Sequence, residues 1–156
     1  MNPLVSVIIP VYNDDRRLRV CLDCLQTQPY SPFEVIVVDN GSDDLAAVTA
    51  AVEACPAARL VCESMPGSYA ARNRGILEAK GEVLAFTDAD CVPSVGWIAA
   101  GVAALRSQPN CGLAAGAIDV VMANPQHPVE LFESVVALTQ QKFVMQDHYG
   151  ATANMF

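Results

Sequence analysis

Apolar strands alternating with helical stretches predict an α/β fold, a mostly parallel sheet flanked by helices. Three observations carry that expectation. Leu4 to Pro10 (LVSVIIP) and Phe33 to Val38 (FEVIVV) are apolar on both alternating sides, as strands covered on both faces are, and Val83 to Phe86 (VLAF) reads as a third buried strand. The stretches between them carry apolar residues at helical spacing. Finally, Tyr12, Asp39 and the pair Asp88/Asp90 each follow the end of a strand, the place where parallel sheets bind ligands.

In chain order, Val11 to Asp14 leaves the first strand as a loop, with Asn13 or Asp14 as an N-cap. Arg16 to Gln26 is a helix with Leu18, Leu22 and Leu25 on one face, ended by Gln28-Pro29. The second strand delivers Asp39-Asn40-Gly41-Ser42-Asp43-Asp44, and Leu45 to Cys55 is an alanine-rich helix closed by Pro56. Arg59 to Cys62 is a further strand, and Met65 to Ser68 a turn. Tyr69 to Lys80 is helical with Gly81 as its stop. After Val83 to Phe86 comes a helix over Val95 to Ser107 that contains Trp97. Gly112 to Met122 reads as another strand, and Asn124 to Pro128 as a turn into a helix with Leu131, Val135 and Leu138 at i, i+4 and i+7. Gly150 to Phe156 would begin one more strand, so the chain reads as a single incomplete domain, cut in mid-strand. A strand left unpaired invites self-association into a homo-oligomer at the sheet edge.

Composition narrows the function. The 156 residues are 53% hydrophobic and 17% charged, enough for a real core. A net charge of −8, from 9 basic and 17 acidic residues, argues against broad contact with nucleic acid. The apolar run Val5 to Val11 is interrupted by Pro10 and lacks a basic flank, so it is a strand and not a signal peptide. The run within Val95 to Leu105 is shorter than the roughly 20 residues of a membrane span. The expected location is cytoplasmic, at the inner face of the membrane if the full-length protein carries a membrane segment. Cys21-x-x-Cys24 has zinc-like spacing, but it lies on a helix with no histidine near and no second pair. The six cysteines (21, 24, 55, 62, 91, 111) read instead as small buried hydrophobes in a reducing compartment.

Asp88 and Asp90 carry the chemistry. At i and i+2 of an extended chain they converge, with Pro93 stopping the strand where they emerge. Two such carboxylates repel unless a cation sits between them, and a hard divalent ion, Mg2+ or Mn2+, suits oxygen ligands. The plainer alternative is a solvated Asp-x-Asp turn capping the next helix. Asp39 suits a ribose hydroxyl or a base N–H, or else caps the following helix or closes a local turn; Asp43 or Asp44 could take the capping role and leave it free. Arg72 and Arg74 stand roughly 200° apart on their helix, so one at most reaches the crevice. Arg72 is preferred because it follows Gly67-Ser68, where bare backbone lets a ligand approach; otherwise both arginines are solvated. Neither G-x-G-x-x-G nor a Walker A lysine follows the first strand, which sets aside the dinucleotide and P-loop sites.

The segments VSVIIPVYN, EVIVVDNGSDD and PGSYAARNRGILEAKGEVLAFTDADC resemble, in order and spacing, the family 2 glycosyltransferases of the GT-A fold. GATANMF is similar to the start of that family's acceptor-side strand. The resemblance implies a Rossmann-like GT-A sheet truncated at its C-terminus. It implies a metal-dependent, inverting transfer from a nucleoside-diphosphate sugar to an acceptor hydroxyl on a carbohydrate, lipid-linked or protein molecule. A UDP-sugar is the expected donor, although the residues themselves leave uridine, guanosine and thymidine open. Carried across by position, Pro10, Val11 and Tyr12 flank the nucleobase and Asp39 bonds to it. Arg72 then contacts the nucleotide, Asp88 lies near the ribose, and Asp90 ligates Mn2+ or Mg2+ on the diphosphate. The general base is expected beyond Phe156, since Glu130, Glu133 and Asp147 do not match its position. This piece is therefore expected to bind donor and to transfer poorly.

Three rivals remain at this level. Asp88 to Val92 also fits the D-x-D-x-V pattern of haloacid-dehalogenase-like phosphatases. That pattern belongs on a first strand with a downstream lysine and acidic pair, whereas three strands precede it here and Lys142 is the only later lysine. A sugar nucleotidyltransferase would want a glycine-rich basic loop where Val11 to Asp14 stands. A non-catalytic nucleotide-binding remnant would keep the same donor residues.

Overall fold

Strands apolar on both sides must be covered on both sides, and the computed structural model shows how. It describes residues 1–121, 128–129, 132, 140–142, 144–145 and 149–156. Among these, β1 (Val5–Val11), β2 (Phe33–Asp39), β3 (Ala58–Cys62) and β4 (Val83–Phe86) form one parallel sheet in the order β3-β2-β1-β4. The helices include α1 (Asp15–Gln26), α2 (Leu45–Glu53), α3 (Ser68–Glu78) and α4 (Trp97–Arg106), and Gln140–Lys142 is also helical.

Strand order decides which face each helix covers. The first two crossovers step outward from β1, and the third returns past it to place β4 on its other side. Right-handed crossovers then put α3 on the opposite face from α1 and α2. The side chains agree. Val5, Val7, Ile9 and Val11 of β1 pack in one core with Leu18, Leu22 and Leu25 of α1, Val48 and Val52 of α2, and Ile98 of α4. Ile36 and Val38 of β2 pack against Ala71 of α3 on the other side. There α3 comes very close: a Cβ on Gly75 would lie 2.5 Å from Ile8 Cγ2 and 3.4 Å from Val38 Cγ2.

Several boundaries differ from the sequence reading. Asp14 stands at the N-cap of α1 but makes no capping bond, because its carboxylate pairs with Arg17; Asn13 instead bonds to Asp43. Asp44 does cap α2, accepting from the Ala47 N–H at 2.9 Å. The expected strand over Gly112 to Met122 is absent from its described residues, and so is a strand over Gly150 to Phe156. Each contributes one bridging residue: Met155 pairs antiparallel with Ala115 and with Phe86. The first segment is rich in Gly and Ala, which give a ladder little to pack. The second is held by side chains, with Asn154 donating to Ala117 O and accepting from Trp97 Nε1. Of the turn expected over 124–128, residues 124–127 lie outside the described residues, as do the repeat of Leu131, Val135 and Leu138 and the residues Glu130, Glu133 and Asp147. Of the six cysteines, all free thiols, only Cys21 and Cys55 are buried; Cys24, Cys91 and Cys111 are half-buried and Cys62 is exposed.

At the end of the sheet away from the strand C-termini, Glu34 joins three strands. Its Oε1 accepts from Ser6 Oγ at 2.7 Å and from the Lys80 N–H at 2.8 Å, and Arg59 Nε lies 3.6 Å from Oε2. Burial alone would push its carboxyl up, but these hydrogen bonds and the Arg59 and Lys80 charges together hold it below the ordinary range.

Two predictions follow from this packing. Ala at position 75 gains helix propensity of about 1 kcal/mol, yet its Cβ meets a β-branched side chain fixed in the central strand, which costs about 1–3 kcal/mol. Gly75→Ala is therefore expected to lower the urea midpoint, and an unchanged or raised midpoint would contradict the close approach. For Glu34, a depressed folded pKa gives stability that is complete above the unfolded value of about 4.3 and is lost as pH falls through the folded value. Wild type is expected to lose more stability than Glu34→Gln between about pH 6 and pH 3. Parallel acid-denaturation curves would show that Glu34 contributes nothing there.

Candidate functional site

Pro10 opens the site. Thr87 N–H donates to Ile8 O, so Ile8 turns its backbone toward β4, and Pro10, two residues on, faces the same way with no N–H to give. The β1–β4 ladder ends at Phe86, and the two chains part. This is also where strand order reverses, the usual place for a crevice in such sheets. The resulting cleft, of about 290 Å³, is lined by Pro10, Val11 and Tyr12 after β1 and by Asp14 before α1. Asn40 after β2, Ser68 and Arg72 of α3, and Asp88, Ala89 and Asp90 after β4 complete it.

The two carboxylates do converge, though by a different route from the one the sequence suggested. The strand stops well before Pro93, and a turn follows in which the Cys91 N–H donates to Asp88 O at 3.0 Å. That turn brings one ligand atom each from Asp88, Asp90 and Cys91 within 4.8 Å of one another. Burial pushes the Cys91 thiol up, against hydrogen bonds with Asp88 and Thr87, and the Asp88 and Asp90 charges push the same way. The two carboxylates among these donors suit a hard divalent cation such as Mn2+ or Mg2+.

Each carboxylate has its own guanidinium. Arg72 Nη2 pairs with Asp88 Oδ1, and Arg17 Nη1 lies 3.7 Å from Asp90 Oδ2. Arg74 turns the other way and pairs with Glu78 at 2.8 Å, as the helical angle requires. Asp39 closes the local turn expected of it and leaves one oxygen over. Its Oδ2 closes a local turn by accepting from the N–H groups of Gly41 (3.0 Å) and Ser42 (3.2 Å). Its Oδ1 is buried with no protein partner. A buried acceptor left unpaired costs about 1–3 kcal/mol, which a ligand's N–H can recover. Asp39 lies just outside the cleft lining, where its neighbour Asn40 stands. Tyr12 lines the cleft with 62% of its surface exposed, an aromatic face open to a flat ligand.

Asn40 and Arg17 were missed in the sequence. The Asn40 amide donates to Glu63 O (2.9 Å) and Met65 O (2.7 Å) and accepts from the Gly67 N–H (2.7 Å). It thereby fixes the loop that launches α3, and with it Ser68 and Arg72. Nothing local in DNGSDD signals those contacts. Arg17 follows the N-cap Asp14 at i+3, a spacing that permits their 2.6 Å pair and was the one available hint.

Residues 6–148 match the sequence profile of glycosyl transferase family 2. The chain belongs to that family. It is 35% identical over 159 residues to the glycosyltransferase AglE of Haloferax volcanii, covering 99% of this chain and 52% of that one. The mannosyltransferase PcManGT of Pyrobaculum calidifontis, solved with GDP-Man and Mn2+, superposes with a TM-score of 0.68 at 33% identity, over 77% of this chain and 36% of that one. TarS 1-349 of S. aureus, solved with UDP-GlcNAc, gives a TM-score of 0.56 at 26% identity, over 65% and 31%. The fold is GT-A, and this chain spans about half the length of AglE. The phosphatase reading falls on the family and on topology, since the aspartates follow the fourth strand and not the first. The nucleotidyltransferase reading falls with the family.

Arg72→Met leaves Asp88 beside Asp90 with its counter-charge gone. A loss of about 1–2 kcal/mol is expected in urea denaturation, the partial exposure of Asp88 limiting it. Arg74→Met removes a more open i,i+4 pair, of the kind worth about 0.5 kcal/mol. Equal losses in the two variants would remove the special role of the Arg72–Asp88 pair.

Proposed function

We propose that this chain is the donor-binding part of a glycosyltransferase that takes a nucleoside-diphosphate sugar together with Mn2+ or Mg2+ and passes the sugar, with inversion, to an acceptor hydroxyl. The observation that supports it most is a pair of carboxylates, Asp88 and Asp90, that line the cleft with an arginine beside each. A buried carboxylate oxygen without a protein partner, Asp39 Oδ1, belongs to the residue next to Asn40 of the lining.

In this reading the nucleobase lies against Tyr12, Pro10 and Val11, and its N–H donates to Asp39 Oδ1. Arg72 faces the nucleotide while its pairing with Asp88 orients that carboxylate near the ribose. Asp90, more exposed and only loosely paired, is the main protein ligand of the cation, with Asp88 beside it. The cation, when bound, neutralises charge developing on the leaving diphosphate. Such a local arrangement lets a chain of net charge −8 hold a polyanion. Inversion also needs a base on the opposite face of the sugar, and that role is assigned to none of the described residues. The donor base is open between uridine and guanosine, since the similar structures include complexes with UDP-GlcNAc and with GDP-Man.

Calorimetric titration of UDP and of GDP, in Mn2+ and in EDTA, tests this reading. Binding of one nucleotide is expected to require the metal and to weaken at least about tenfold in Asp90→Ala. Asp39→Ala is expected to weaken the nucleotide by about tenfold while keeping the metal dependence. Binding that is equal in EDTA and in Asp90→Ala would overturn the reading, as would no binding by a chain that melts cooperatively.

A further inference from the structure

The two arginine–carboxylate pairs of the cleft are built differently. Side chains of the Arg72–Asp88 pair are 15% and 32% exposed; those of Arg17 and Asp90 are 66% and 52% exposed. The first is a direct, half-buried contact. The second, at 3.7 Å, is too long for a hydrogen bond and acts through solvent as a weak attraction. Arg17 is nonetheless kept at the rim, because its other nitrogen, Nη2, lies 2.6 Å from Asp14 Oδ2. Its guanidinium is stabilised chiefly by the hydrogen bond and charge of Asp14, and least by Asp90. One arginine is thus committed to Asp88, while the other is anchored elsewhere and only leans on Asp90.

Resting on the assignment of Asp88 and Asp90 to the cation, we infer that Arg17 is the displaceable counter-charge of Asp90 and competes with the divalent cation for it. In the free protein Arg17 offsets the repulsion between the two carboxylates. When a cation arrives, Arg17 withdraws onto Asp14 with little loss, since that pair is the shorter one. A positive charge so placed lowers cation affinity, and its removal raises it. For an exposed pair the effect is modest, about two- to fivefold, and salt screens it.

Mn2+ titration of the protein without nucleotide, with free Mn2+ read by electron paramagnetic resonance at low salt, tests this directly. Arg17→Ala is expected to bind Mn2+ about two- to fivefold more tightly than wild type, with the gain shrinking at about 0.5 M salt. Arg16→Ala removes the same charge from an exposed neighbour on the same helix and is expected to leave the affinity unchanged. Unchanged or weaker binding by Arg17→Ala, or an equal gain in Arg16→Ala, would overturn the inference and leave the cation site standing. Wild-type Mn2+ binding that Asp90→Ala does not weaken would overturn the cation site, and Arg17 with it.

Discussion

Two carboxylates gathered on one turn repel each other, and much of the surrounding structure follows from the need to offset them. Asp88 and Asp90 present oxygens within 4.8 Å of each other. A guanidinium can reach Asp88 only if α3 lies close to the sheet. It does so because Ala71 is small and Gly75 has no side chain to hold the helix away from Ile8. The start of the helix is equally constrained. Gly67, at φ +118, adopts a conformation that residues with a Cβ rarely tolerate, and the Asn40 amide fixes the loop before it. The segment PGSYAARNRG is in this sense one device: a turn, a small-residue face for close packing, and one arginine delivered to the cleft.

The buried strands were legible because burial on both faces leaves a continuous apolar run, and Val5, Val7, Ile8 and Ile9 are indeed fully buried. The order of the strands was not, since periodicity reports which residues face inward and carries nothing about neighbours. Asp88 and Asp90 were legible as a convergent pair. The route was misread because the strand is ended by a missing N–H on a different strand, at Pro10, and not by Pro93 downstream. Asp39 was legible as a polar group at a strand end. That one of its oxygens closes a turn while the other stays unpaired depends on Gly41 and Ser42 folding back. Asn40 was illegible, because its partners Glu63, Met65 and Gly67 lie on another loop. Over Gly112 to Met122 the apolar content was real, yet Gly and Ala supply too little side chain to specify a ladder.

Net charge and local charge are not the same here. With 17 acidic against 9 basic residues, the whole-chain field repels an anion. Placement offsets most of that within the cleft: Arg72 cancels Asp88 at contact, and Arg17 is shared between Asp14 and Asp90, which leaves one carboxylate in excess. Coulomb attraction falls with distance and is cut by salt within about 10 Å, so a contact charge outweighs a diffuse surface excess.

Rigidity is distributed to match. Phe86, the last residue of β4, is paired with Ile8 on one side and with Met155 on the other, through hydrogen bonds of 2.8 and 3.3 Å to Met155. Met155 is itself held in place by its neighbours. The Asn154 side chain accepts from Trp97 Nε1 at 2.8 Å, and the Phe156 ring packs 4.8 Å from the Trp97 ring, over Gly101. The backbone that carries Asp88 and Asp90 therefore starts from a residue pinned at both edges, and the turn closes on its own hydrogen bond. Beyond Pro10 that constraint ends on the cleft side. What is left free to respond to a ligand is side-chain: an exposed arginine at the rim and an exposed tyrosine on the wall. With its acidic groups fixed by backbone and its exposed groups standing at the rim, the site can meet a ligand by side-chain rotation alone, without reorganising the sheet.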